Sequence, residues 1–267
     1  MSEPQPHCRV EREGGVVVVT MNRPERRNAF SAEMLALMND AWDLIDSDPD
    51  VRVAILTGAG GTFCAGADLK AMAGGDQSDP RWRERFDQDA DLAWKALLRH
   101  RRLRKPLIAA VEGYAVAGGT EILQATDIRV AAETAIFGVT EVTRGLFPLG
   151  GSTVRLRRQI PYTLAAEILL TGRHVSAAEA KAIGLVGRVV PEGQALAGAR
   201  RIAQQIEANG PLAVQAVLRS LRETEGMSEL DALKLEFQIG FPIFGTEDAK
   251  EGPRAFAEKR KPSYKGK

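Results

Sequence analysis

Cysteine is scarce in this chain of 267 residues: the only two, Cys8 and Cys64, stand far apart and match no disulfide or metal-ligand spacing. That usage points to a reducing, cytoplasmic setting. The three histidines, His7, His100 and His174, are equally dispersed, and neither a nucleotide-cradling glycine loop nor a zinc pattern occurs, so no metal or redox cofactor is expected. An excess of one charge is also lacking. Lys and Arg number 36 against 35 Asp and Glu, a net charge of +1, which disfavours nucleic-acid binding as the main role. No apolar run approaches the length of a membrane span. Residues 1–6 have neither the charged nor the apolar region of a signal peptide, so a soluble, intracellular protein with no membrane partner is expected. Fixed-period repeats and low-complexity stretches are missing as well.

What is present is an ordinary globular composition, 44% hydrophobic and 27% charged, in a chain long enough for a sizeable core and a smaller appendage. The β-branched run at residues 16–21 predicts a strand, closed by Asn22-Arg23-Pro24. Ser31 reads as the N-cap of a helix that buries Met34, Leu35, Met38, Ala41, Trp42 and Ile45. Further strands are expected at 51–56, 106–111, 128–132 and 184–190, and a short strand or turn at 135–138. The Gly- and Asp-rich segment 72–81 reads as a loop. One longer helix is expected over 82–103, with Phe86, Ala90, Leu97 and Leu98 inward and Arg99-His100-Arg101-Arg102 in its last turn. Pro161 fits the first turn of a helix running through Leu170, and Ser176 with Glu179 forms a capping box. Beyond Pro191 the pattern is helical almost to the end, with breaks at Gly210-Pro211 and Gly226. Strands alternating with helices, then helices only, predict an α/β core carrying a helical C-terminal region.

Three Gly-rich turns stand out: Ala65-Gly66-Ala67-Asp68, Ala117-Gly118-Gly119-Thr120-Glu121 and Pro148-Leu149-Gly150-Gly151. The second follows a buried strand and precedes a short helix expected at 122–126. Glycine lets backbone N–H groups approach a ligand, and a helix start favours developing negative charge. Taken alone, each is a plain tight turn, and each Glu nearby a helix-surface carboxylate.

These segments occur in order with Leu56-Thr57-Gly58, Phe137-Gly138-Val139-Thr140-Glu141, Glu251-Gly252 and Ala255-Phe256-Ala257-Glu258-Lys259-Arg260. Together they resemble the enoyl-CoA hydratase/isomerase (crotonase) family from about residue 16 to 261. Within it the chain is most like actinobacterial enoyl-CoA hydratases, some of which act on long or steroid-derived acyl chains. The resemblance implies a spiral of ββα units over residues 1–192 with the active site. It also implies a C-terminal helical trimerisation region over 193–267, in a trimer or a dimer of trimers. It implies hydration of a trans-2-enoyl-CoA, with the coenzyme A thioester as substrate rather than cofactor.

By the same resemblance, the N–H groups of Ala67 and Gly118 hold the thioester oxygen, and Glu121 and Glu141 match the two acids of the hydratases. Adding water across a conjugated double bond needs one proton removed and one delivered, which two carboxyl groups in different protonation states can do. Glu121 is assigned to the water and Glu141 to the α-carbon, with a shared or reversed order left open. Keeping both acids favours hydration over double-bond isomerisation, which one acid can manage, and over a non-catalytic acyl-CoA-binding role. Coenzyme A is expected along Arg23, Arg27 and Ala65 to Lys70 (with Asp68 and Leu69), and along Lys259 of its own or a neighbouring subunit. Asp68 has a second reading as the cap of the following helix. Leu149 departs from the glycine that hydratases often carry there, and is expected to alter the pocket wall.

Overall fold

The computed structural model describes residues 5–74 and 79–267, and its first element is a strand that hydropathy does not mark. Residues 1–4 of the N-terminal segment and 75–78 of the expected loop lie outside the described residues. Strand β1 (Cys8–Glu13) pairs antiparallel with β2 (Val16–Met21), and of its side chains only Cys8 is buried. It is an edge strand whose exposed side chains are charged apart from Val10, which leaves little apolar alternation to read. The chain continues through α1 (Ala32–Ser47), β3 (Val53–Gly58), α2 (Leu69–Gly74), α3 (Pro80–Gln88), α4 (Leu92–Ala96), β4 (Leu107–Val111), β5 (Tyr114–Val116) and α5 (Gly118–Leu123). Then come β6 (Ile128–Ala132), β7 (Ile136–Gly138), α6 (Ser152–Gln159), α7 (Tyr162–Thr171), β8 (Val175–Ser176), α8 (Ala177–Ala182) and β9 (Arg188–Val190). Helices α9 (Ala195–Glu207), α10 (Pro211–Glu223), α11 (Glu229–Gly240) and α12 (Glu247–Ala257) complete it.

Six strands form one sheet in the order β1-β2-β3-β4-β6-β9, parallel from β2 onward. A smaller sheet holds β5, β7 and β8 and is extended by a bridge between Cys64 and Ala115. Alternate residues of β2 serve two cores, as the period of a strand requires. Val17, Val19 and Met21 face Met34, Met38, Trp42 and Ile45 of α1, while Val16 and Val18 belong with Ala195, Ala199 and Ala203 of α9. Both faces of the parallel sheet are thus covered, which is why its strands read as continuous apolar runs. Helix α9 accordingly packs as part of the core.

Local capping follows the residues. The Ser31 hydroxyl accepts from the Met34 N–H and the Ser176 hydroxyl from the Glu179 N–H. Pro161 stands at the N-cap of α7, one position before its first turn. The expected helix over 82–103 is instead two short helices and an extended connection. The Asp89 carboxylate accepts the Asp91 N–H at 3.1 Å, a local turn that competes with the helix. Leu98 then takes φ +53°, which ends α4. Leu98 is buried, Phe86 and Leu97 are half-buried and Ala90 is exposed. Arg101, expected in a helical last turn, pairs with Asp43 at 2.8 Å across to α1.

Candidate active site

The three turns converge because they leave the carboxyl ends of β3, β5 and the strand pair β6–β7, where loops of parallel sheets gather. The first is locked in place: the Ala65 N–H donates to the Arg27 carbonyl at 3.0 Å and the Phe30 N–H to the Gly66 carbonyl at 2.8 Å. The Gly66 N–H is taken by the Cys64 sulfur at 3.3 Å. Gly66 has φ +83°, and a Cβ placed on it would lie 2.8 Å from the Gly118 nitrogen. The turn therefore touches the start of α5 backbone to backbone, which only glycine permits. Among the described residues the N–H groups of Ala67 and Gly118 have no protein acceptor.

Helix α5 begins at Gly118, four residues before the expected start, because Ala117 caps it in an uncommon conformation (φ +50°, ψ −127°). The Ala117 N–H donates to the Gly138 carbonyl at 2.8 Å, and its own carbonyl accepts from Thr120 and Glu121. The Thr120 hydroxyl bonds the Ala115 and Gly138 carbonyls. Strained backbone of this kind persists only where the surroundings over-determine it. Here the surroundings fix the direction of the Gly118 N–H and of the Glu121 side chain.

Glu121 is only 5% exposed. Its Oε2 accepts the Gly150 N–H at 2.9 Å and its Oε1 the Ser152 N–H at 3.2 Å. Burial raises its pKa above the ordinary carboxylate value, while the donors of Ser152, Gly150 and Gly151 pull it back. Glu141, in a short 3₁₀ turn after β7, is half-buried and differently served: its Oε2 is enclosed with no hydrogen-bond partner among the described residues. Burial, with the Glu121 charge nearby adding to it, pushes Glu141 up to about 7. One carboxyl has donors for its ionised form and the other has an oxygen left bare, which sets their protonation preferences apart.

Beside the first turn lies a cavity of about 1180 Å³. Arg23, Arg26, Asp68 and Lys70 give it polar lining, and Trp82, Phe86, Trp94 and Leu97 apolar lining; Ala67 also lines it. Gly118 and the two glutamates are not in its lining. The sequence-predicted binding residues divide accordingly. Arg23 lines the cavity but is already engaged, its Nη1 lying 2.8 Å from Asp68 Oδ2. Asp68 also accepts the Lys70 and Ala71 N–H groups, so it does cap α2. Arg27 takes φ +51° and rests over the Tyr114 ring outside the cavity, where its neighbour Arg26 enters instead. Ala65 lies behind the lining and Leu69 turns outward, 45% exposed.

Leu149 is 53% exposed and does not form cavity wall; its carbonyl accepts from Arg99 Nε at 2.7 Å. Lys259 does not line the cavity of its own chain. The structure adds residues that the sequence reading passed over: Arg26, Trp94, and Gly150 and Ser152 as the donors that hold Glu121. The glycine pair at 150–151 was the only signal for the last two. Among the described residues no group of three His, Cys, Asp or Glu is gathered as metal ligands would be, and no helix is long and apolar enough to cross a membrane.

Residues 11–267 match the family model described as enoyl-CoA hydratase/isomerase. The chain is 59% identical over 265 residues to enoyl-CoA hydratase EchA19 of Mycobacterium tuberculosis, covering 99% of this chain and 98% of that one. Its fold superposes on the crystal structure of enoyl-CoA hydratase EchA1 from Mycobacterium marinum with TM-score 0.88 at 44% identity, over 98% of this chain and all (100%) of the other. An enoyl-CoA hydratase of Mycobacterium tuberculosis H37Rv gives TM-score 0.89 at 43% identity, with 98% and 100% covered. The α/β architecture with a helical C-terminal region is therefore the crotonase fold, and the chain belongs to the enoyl-CoA hydratase/isomerase family.

Proposed function

We propose that the chain hydrates a trans-2-enoyl-CoA to the 3-hydroxyacyl-CoA. The observation that carries this reading is the pairing of two unlike carboxyl groups, one buried and one half-buried, beside two backbone N–H groups that have no protein acceptor among the described residues. The thioester oxygen accepts from Ala67 and Gly118. Glu121, supplied with donors for its ionised form, takes a proton from water as the oxygen bonds to C3. The π electrons move to the thioester oxygen as an enolate, which one preorganised donor stabilises by about 3 kcal/mol in other enzymes. Glu141, whose pKa of about 7 keeps part of it protonated near neutral pH, gives its proton to C2 as the enolate collapses. Proton exchange between the two acids or with water restores the starting state.

Coenzyme A runs past Arg26 and Lys70, cations suited to its phosphates. The acyl chain lies toward Trp82, Phe86 and Trp94, and the extent of this apolar lining supports chains longer than crotonyl, as in β-oxidation of fatty acids. Assembly of the chain as a trimer or dimer of trimers is supported by the exposed apolar face of the C-terminal helices. Leu230, Leu233, Phe237, Phe241 and Phe244 are 53–79% exposed there. In such an assembly Lys259 reaches a neighbouring copy's ligand. Two free, buried cysteines suit a cytoplasmic setting.

The test is hydration of crotonyl-CoA and a bulkier 2-enoyl-CoA, read as loss of enoyl absorbance. Glu121→Gln and Glu141→Gln should each cut turnover by about 10²–10⁴-fold with the fold intact. Near-normal hydration by either variant, or faster conversion of a 3-enoyl-CoA to the conjugated isomer by the unmodified protein, overturns the reading.

A further inference from the structure

Each of the two N–H groups left without an acceptor among the described residues, on Ala67 and Gly118, belongs to a peptide unit whose carbonyl is engaged. A trans peptide is planar, with its C=O and N–H pointing in opposite directions, so anchoring the oxygen aims the hydrogen. For Gly118 that oxygen is the Ala117 carbonyl, which accepts from the Thr120 N–H at 2.8 Å and the Glu121 N–H at 3.1 Å. For Ala67 it is the Gly66 carbonyl, and its donor, at 2.8 Å, is the Phe30 N–H. The first pair of donors comes from α5 itself. The last comes from a residue that the proposed chemistry does not use.

A ladder between residues 27–30 and the first turn brings Phe30 there. The Ala65 N–H donates to the Arg27 carbonyl at 3.0 Å, the Cys64 thiol donates to the Asn28 carbonyl at 3.1 Å, and Phe30 forms a parallel bridge with Ala67. Asn28, fully buried at φ +55°, holds the ladder to the chain behind it. Its Nδ2 donates to the Ala59 and Thr62 carbonyls at 2.9 and 2.6 Å. These bonds fix where the Phe30 side chain starts.

The Phe30 ring then reaches the other donor. Phe30 is 8% exposed, and a Cβ built on Gly118 would stand 2.9 Å from its Cε2 and 3.5 Å from its Cδ2. The ring edge thus occupies the space beside Gly118 that a side chain would need. The Gly66 Cα lies 3.4 Å from that same point, so ring, turn and helix start meet there. One residue holds the Ala67 donor through its backbone and abuts the Gly118 donor through its ring. In a close-packed interior, loss of that ring leaves Gly118 room to shift. Phe30 also lines the cavity beside the turn.

We propose that Phe30 is a positioning residue whose ring edge, set against Gly118, fixes the spacing and aim of the Gly118 and Ala67 N–H groups. The proposal rests on the hydratase reading, so the test reads the donors and the turnover separately. The probe is butyryl-CoA isotopically labelled at its thioester carbonyl, a saturated ligand that cannot be hydrated. Infrared difference spectra against the unlabelled ligand isolate that one band, whose frequency falls as hydrogen bonds to the oxygen strengthen. In the unmodified protein it should lie below its position in water. Crotonyl-CoA hydration is followed on the same proteins.

Phe30→Ala leaves the backbone bond to Gly66 in place and removes the ring. The band should move back toward its position in water, and kcat should fall by about 10²-fold, the cost of a misplacement of about 1 Å. KM should change far less, because the donors act most strongly on the developing enolate. Phe30→Leu keeps an apolar side chain in the core, which guards against a folding failure of the first variant, but has no ring edge for Gly118. Its band should move in the same direction. An unmoved band in both variants overturns the proposal even if turnover falls. A band that moves in Phe30→Ala alone shows that bulk suffices without a ring edge, and overturns it too. No shift on binding to the unmodified protein sinks the oxyanion role of Ala67 and Gly118, and the proposal with it. A bound-state shift that both variants lose, in a protein that hydrates no enoyl-CoA, upholds the positioning role and sinks the hydratase reading alone.

Discussion

Gly150 donates its N–H to Glu121 Oε2 at 2.9 Å, and a Cβ on Gly150 would stand 2.6 Å from that same oxygen. The turn and the acid are therefore fitted to each other with no room for a side chain between them. Gly150→Ala must displace one or the other. Turnover is expected to fall by about 10²-fold or more, since a misplacement of about 1 Å costs that much. Measured kcat within threefold of the unmodified protein would show that the turn tolerates the methyl group.

Glu141 supplies a pH signature. Its pKa is raised from the ordinary 4.5 to about 7 by burial first and by the Glu121 charge second. If its protonated form donates to the α-carbon, kcat falls as pH climbs through about 7. Glu121→Gln removes the neighbouring charge and should move that limb down. For stability, the folded state holds a proton that the unfolded chain has already released between these two values. Folding stability thus declines as pH rises across that window. Glu141→Gln should match the unmodified protein below it and exceed it by about 1–3 kcal/mol above it. Denaturant melts at acid and alkaline pH check the sign; an equal difference at both ends refutes it.

Gly66 and Gly118 define the other half of the site. Gly66→Ala would place a methyl group 2.8 Å from the Gly118 nitrogen at φ +83°. The strain costs about 1–2 kcal/mol of stability. Displacing the donors costs about 10²-fold in kcat with substrate binding less affected. Calorimetry and steady-state kinetics on the one variant separate the two losses, and an unchanged kcat would remove Gly118 from the oxyanion role.

Trp42 tests the scaffold rather than the chemistry. Its ring is fully buried and its Nε1 donates to the Ala96 carbonyl at 2.8 Å, tying α1 to α4 and so to the cavity wall at Trp94. Trp42→Ala should cost about 3–5 kcal/mol. Trp42→Phe, which keeps most of the volume and loses the bond, should cost distinctly less; equal losses would show that the hydrogen bond dominates.

Much of the fold was legible because buried parallel strands and capped helices announce themselves locally. The run at 16–21 could bury both faces only in a covered sheet, and Ser31 and Ser176 carry their cap chemistry in the side chain. β1 was not legible, since its outward residues are mostly charged and its pairing with β2 is what makes it a strand. The helix expected over 82–103 failed on a local competition, the Asp89 turn, and on Leu98, whose left-handed backbone is imposed by packing. Arg26 and Arg27 are indistinguishable as letters. The φ of +51° at Arg27 turns one away and leaves the other at the cavity.

By itself the sequence determined the family, the two glutamates and the glycines that let backbone meet backbone, because residue types at fixed order carry that information. Only the tertiary structure decided how the two acids differ. Glu121 and Glu141 are the same residue, twenty positions apart in the numbering. What separates them is that Gly150 and Ser152, from another turn, donate to one, while an oxygen of the other is enclosed with no donor among the described residues. Burial and donor geometry are properties of the folded neighbourhood, and they set which carboxyl holds the proton.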